Sequence, residues 1–147
     1  MRTKTILIVL ILLFSTALMN GCGSTSTPGT NSQNSSSSTS AASFKTIDAA
    51  AAKKMMDSGD PYTLVDVRTQ AEYDAQHIKG AKLIPVDVIA TEAAAKLPDK
   101  NATILLYCRS GVRAGQAAQT LAGLGYTKVY SFGGIINWPY GTVTGSN

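Results

Sequence analysis

Tyr107-Cys108-Arg109-Ser110-Gly111-Val112-Arg113 sets a single thiol where a buried strand stops and a helix begins. Upstream, Thr103-Ile104-Leu105-Leu106-Tyr107 is short, continuously apolar and rich in strand formers. That is the pattern of a strand covered on both faces in a parallel sheet. Downstream, Ala114, Ala117, Ala118, Leu121 and Leu124 recur at helical spacing. They predict a helix that starts at Val112 or Arg113 and ends near Gly123 or Gly125. The loop between strand and helix is therefore tight.

Such a loop has a chemical consequence. The N–H groups of a short turn, followed by the unpaired N–H groups of a helix's first turn, form a concave anion site. The same field favours thiolate over thiol, and cysteines at helix N-termini or beside cations titrate at roughly 3.5–7.5 rather than near 8.5. Arg109 and Arg113 add two permanent charges, and Ser110 and Gly111 are small enough for the backbone to curl around the sulfur. Gly111 accepts positive φ at no steric cost. A buried structural cysteine is the plain alternative; two arginines within five residues favour a reactive one.

Outward from this loop, strands and helices alternate. Phe44 to Ile47 reads as a strand, and Asp48 caps a helix over Ala49 to Asp57 that stops at Ser58-Gly59. Tyr62 to Val67 is a buried strand ending around Asp66 and Arg68, and Thr69-Gln70-Ala71-Glu72 is a capping box opening a helix to about Gln76. Ala81 to Ile84 forms another strand, and Val88 to Lys96 a helix ended by Pro98. After the Cys108 loop and its helix come a strand over Lys128 to Phe132, Gly133-Gly134, and a helical turn over Ile135 to Trp138. This alternation predicts an α/β fold with a mainly parallel central sheet and helices on both faces. Ligands in such sheets sit at the carboxyl ends of strands, where Cys108, Asp66 and Arg68 fall.

The chain of 147 residues carries a formal net charge of +4, reduced to about +2 if Arg2 and Lys4 are removed. Its basic residues are scattered and no aromatic ladder accompanies them, so no nucleic-acid partner is expected. Residues 1–21 have the plan of a signal peptide: Arg2 and Lys4, then an apolar core from Ile6 to Phe14 that is too short to span a bilayer comfortably. Met19-Asn20-Gly21-Cys22 resembles the lipobox of bacterial lipoproteins, which implies cleavage before Cys22 and its lipidation. The expected location is extracytoplasmic, lipid-anchored to a bacterial membrane; the alternative is a secreted protein with Cys22 free or disulfide-bonded. Residues 22–43 then carry the lipidated cysteine and a Ser/Thr-rich flexible linker with an r.m.s. span of ~25 Å. The folded domain is expected over residues 44–147, with Cys108 as its single thiol.

The matching stretches resemble a single-domain rhodanese. They are Leu64-Val65-Asp66-Val67-Arg68 with Glu72-Tyr73, His77-Ile78-Lys79-Gly80-Ala81 with Ile84-Pro85, the Cys108 loop through Arg113, and Gly133-Gly134 with Trp138. The resemblance implies a rhodanese-like fold and a sulfurtransferase in which Cys108 attacks a thiosulfate-like donor. The cysteine becomes a persulfide and passes the sulfur to a thiol or cyanide. It makes Arg109, Ser110, Gly111, Val112 and Arg113 the cradle for a small anionic donor, with Asp66 and Arg68 behind it. Gln76 and Lys79 replace a Gly and a Pro usual in the family, and Ala114 a frequent Ser. No metal or organic cofactor is expected, and a monomer is.

Several residues have two readings. Asp66 and Arg68 either tune the loop's field or form an ion pair that holds the next helix. His77 is a proton shuttle or, the favoured reading, a tie for its turn. Trp138 is expected as a core anchor, and Tyr107 to point away from the thiol's side of its strand. Two other functions compete with sulfur transfer: a non-enzymatic sulfur carrier or binding module, and a phosphatase of the same fold. Against the phosphatase, four residues separate Cys108 from Arg113, whereas phosphatase cradles have five.

Overall fold

The computed structural model describes residues 43–145. The signal segment, Cys22 and nearly all of the linker lie outside the described residues. Five strands form one sheet: β1 Lys45–Thr46, β2 Tyr62–Asp66, β3 Lys82–Leu83, β4 Thr103–Cys108 and β5 Lys128–Gly134. Their order is β1-β5-β4-β2-β3 and every pairing is parallel. The helices are α1 Ala49–Asp57, α2 Gln70–Ala75, α3 Ile89–Lys96 and α4 Val112–Gly123, followed by a 3-10 turn over Ile135–Asn137.

Strand alternation divides the core between the two faces. Val65, Val67, Ile104, Leu106, Cys108 and Val129 pack with Ile89 and Ala93 of α3 and with Ala114, Ala117, Ala118 and Leu121 of α4. Leu64, Leu105, Tyr107 and Phe132 pack on the other face with Ala52 of α1 and Tyr73 of α2. The alanine stripe of α4 lets its backbone lie close over β4, which brings its first turn down onto the strand's end. Leu124 departs from the predicted stripe: it is the C-cap residue, 39% exposed, because the helix has ended and the chain turns away.

Local chemistry explains the boundaries. Asp48 accepts the N–H of Ala51 at the start of α1. At α2 both halves of the capping box are present, with Thr69 accepting from the Glu72 N–H and Glu72 from the Thr69 N–H. β5 runs two residues beyond the predicted Phe132. Its register against β4 slips by one, from Leu106 opposite Ser131 to Cys108 opposite Gly134. Gly133 sits in this irregularity at φ +91, a left-handed conformation suited to glycine at a bulge. Trp138 is half-buried and packs against the core from its rim: its ring lies 5.5 Å from Phe132 and its indole N–H donates to the Gly141 carbonyl.

Candidate active site

Cys108 ends the central strand and is 1% exposed, a free thiol. Gly111, at φ +114, turns the chain back over it and starts α4. Its N–H donates to Cys108 Sγ at 3.0 Å. The sulfur therefore sits on the floor of a loop, at the N-terminal end of a twelve-residue helix, where partial positive charge collects. Arg109, Ser110 and Val112 are exposed on this loop, Val112 by 70%.

Two glycines of β5 allow the loop to be so tight. A Cβ built on Gly134 would fall on the Arg109 carbonyl group and within 2.6 Å of the Ser110 Cα. One built on Gly111 would come within 3.2 Å of the Gly133 Cα. The backbone of residues 109–111 thus lies directly on the glycine pair, and the Arg109 carbonyl accepts the Ile136 N–H at 3.3 Å.

Arg113 is held from the side. Its Nη1 and Nη2 donate to Glu72 Oε2 and Oε1, each at 2.7 Å, a bidentate geometry among the strongest ion pairs. These hydrogen bonds hold the guanidinium above its ordinary value against the opposing effect of burial, and the nearby Cys108 sulfur adds to the rise. The partner moves the other way: Arg113, helped by the Thr69 donors and opposed by burial, lowers the Glu72 carboxyl to about 2. Sequence reasoning gave Glu72 only its capping role. The geometry gives it a second one, joining the first turn of α2 to the first turn of α4 across the site.

Asp66 and Arg68 form a second pair beneath. Both are buried, at 0% and 3% exposure. Arg68 Nε and Nη2 donate to the carboxylate at 2.9 and 2.6 Å, and Nη2 also donates to the Gln76 carbonyl at 2.6 Å. Burial works against the Arg68 charge, but the hydrogen bonds and charge of Asp66 outweigh it and raise the group above its ordinary value. This is the ion-pair geometry, tying the end of β2 to the end of α2. Tyr107, on the face opposite Cys108, lies 5.7 Å from the Arg68 guanidinium and accepts the Ile78 N–H at 3.0 Å. Burial first, and then the Asp66 charge, push its phenol upward.

His77 is 1% exposed and stacks on Tyr73 at 3.8 Å with 8° between planes. Its backbone exchanges two 2.8 Å hydrogen bonds with Val143. The geometry is that of a structural tie. The return of the chain at Val143, and the bond from the Gly145 N–H to the Asp74 carbonyl at 2.8 Å, had no counterpart in the sequence reading.

An α/β sheet with a thiol in a glycine-backed loop at its carboxyl edge defines the class. The family model "Rhodanese-like domain" matches residues 48–139, and the chain belongs to that family. It is 40% identical over 100 residues to the probable adenylyltransferase/sulfurtransferase MoeZ of Mycobacterium tuberculosis, covering 67% of this chain but only 25% of that protein. It is 39% identical over 71 residues to the thiosulfate sulfurtransferase PspE of Escherichia coli, covering 48% of this chain and 68% of the relative. Among solved structures, a rhodanese with anions from E. coli superposes with a TM-score of 0.55 at 35% identity, covering 58% of this chain and all 100% of that one.

Proposed function

We propose that the chain is a sulfurtransferase that moves one sulfane sulfur from a thiosulfate-like donor to a thiol or cyanide through a persulfide on Cys108. One observation carries this reading: the only thiol among the described residues is buried at a helix N-terminus, with the Gly111 N–H on its sulfur at 3.0 Å. Family membership and relatives named as sulfurtransferases support it.

The step balances simply. The Cys108 thiolate attacks the outer sulfur of thiosulfate; a new S–S bond forms, the donor's S–S bond breaks, and its electron pair leaves with sulfite. The protein then carries the anionic persulfide Cys108–S–S⁻, held by the donors that faced the thiolate. The acceptor attacks the outer sulfur in turn, and the pair returns to Cys108. Arg109 and the loop N–H groups offset the repulsion between a dianionic donor and an anionic sulfur. The proposal extends to location: lipidated Cys22 and the linker to residue 43, a chain with an r.m.s. span of about 25 Å, tether the domain outside the cytoplasm to a bacterial membrane.

Intact mass of the protein before and after thiosulfate, with cyanide added last, tests the chemistry. A gain of about 32 Da, one sulfur atom, that maps to Cys108 and disappears as thiocyanate forms is the expected result. No gain, with Cys108 still open to alkylation, overturns it. Loading without release to any small acceptor would instead make the domain a sulfur carrier.

A further inference from the structure

Beside the Cys108 loop lies a cleft of about 390 Å³ bounded by Arg68, Glu72, Gln76, Arg109, Ile135 and Ile136. Thiosulfate and cyanide are far too small to fill it. Its charges are unequally engaged. Arg68 is paired with Asp66, and Glu72 with Arg113. Arg109 has no hydrogen bond, ion pair or ring contact from its guanidinium among the described residues, and its side chain is exposed. The cleft therefore presents one free positive charge. Next to it, through the hydrogen bond from its N–H to the Arg109 carbonyl, Ile136 is 61% exposed, an apolar side chain turned to solvent.

We propose that this cleft selects the sulfur acceptor, and that the preferred acceptor is a small organic thiol bearing a carboxylate on a short apolar body. The carboxylate meets Arg109 and the body lies on Ile136. Arg109 directly follows Cys108, so the cleft's free charge stands on the residue next to the one that carries the sulfur. The acceptor thiol passes its proton to the anionic persulfide, and R–S⁻ attacks the outer sulfur of the resulting Cys108–S–SH. The R–S–S bond forms, the cysteine's S–S bond breaks with its electron pair returning to Sγ, and R–S–SH leaves. The inference rests on the sulfurtransferase reading, and its test separates the two.

The whole protein is loaded with thiosulfate, freed of donor, and discharged in a single turnover by 3-mercaptopropionate or by its methyl ester, with rates compared per thiolate. The ester has the same body and no charge. The acid is expected to discharge the persulfide about fivefold to tenfold faster, the size of one partly solvated charge-assisted hydrogen bond. Arg109→Gln brings that ratio close to one, Arg109→Lys keeps most of it, and Ile136→Asp, at a position 61% exposed, inverts it. Because a ratio is read on the loaded fraction alone, slower loading by a variant does not enter. Equal rates for acid and ester, or a ratio unmoved by Arg109→Gln, overturn the acceptor assignment while sulfur transfer stands. Failure to load at all removes both.

Discussion

Replacing Glu72 with Gln tests the clasp across the site. Gln is accepted at the third position of a capping box, so the start of α2 keeps its cap while the ion pair to Arg113 loses its charge. The carboxyl is lowered from 4.5 to about 2. A change of that size corresponds to at most about 3 kcal/mol, at 1.36 kcal/mol for each tenfold change in proton affinity. Both side chains are 30% exposed, so solvent screening reduces the contribution to about 1–2 kcal/mol. The sign follows from the lowered value: the stabilisation is full above the ordinary carboxyl range and is lost as pH falls from about 4.5 to about 2. Urea unfolding of wild type and Glu72→Gln should therefore differ by about 1–2 kcal/mol near neutral pH, with more than half of the difference gone by about pH 3. Glu72→Ala should cost about 1 kcal/mol more, through the lost cap. A difference that persists unchanged to low pH, or none at neutrality, would refute the reasoning.

Gly134→Ala should destabilise the protein by about 3 kcal/mol or displace the loop, because its Cβ has only the Arg109 and Ser110 backbone to occupy; thermal unfolding reads this against Gly115→Ala, where the space is open and little loss is expected. Arg113→Ala leaves Glu72 unpaired beside the sulfur, so loading from anionic donors should fall much more than loading from uncharged ones, and equal losses would mean the arginine is only structural. Cys22→Ala should release the protein from membranes in a fractionation experiment; unchanged association would discard the lipoprotein reading. Aryl phosphates should turn over negligibly, and robust hydrolysis that is lost in Cys108→Ser would favour a phosphatase.

The elements of this fold were legible because each carries a local device. The Asp48 cap, the Thr69–Glu72 box, Pro98 and the alanine stripe of α4 fix boundaries through contacts within a few residues, and the structure places those elements within a residue or two of the prediction. The position of Cys108 was legible for the same reason, since an apolar run meeting a helical repeat leaves no freedom for the residue between them. What the sequence hid is non-local. Glu72 and Arg113 lie 41 residues apart, and nothing local to the capping box says that its carboxylate also faces another helix. Gly133-Gly134 was visible as a pair, but the reason for it is the backbone of residues 109–111, and only the register slip beside Cys108 brings them together. Leu124 falls outside the buried stripe because it sits just past the helix end, while Trp138 does pack on the core, from its rim.

The charge arrangement bears on what the loop can hold. Counting side chains, Arg68, Arg109 and Arg113 all lie at this edge of the sheet, which suggests a site for a highly charged ion. Pairing changes the count: Arg68 is neutralised by Asp66, and Arg113, though it still acts on the Cys108 sulfur, shares its charge with Glu72, so Arg109 is the one of the three without a carboxylate partner among the described residues. Gripping a tetrahedral phosphate in two places needs a guanidinium with its paired edge free, and both Nη atoms of Arg113 already face a carboxylate at 2.7 Å. A persulfide asks for less. It carries about one negative charge on one added atom, close to the backbone, where short-range N–H donors act better than a long side chain. A loop of four residues between Cys108 and Arg113, pressed onto two glycines, is suited to that smaller guest.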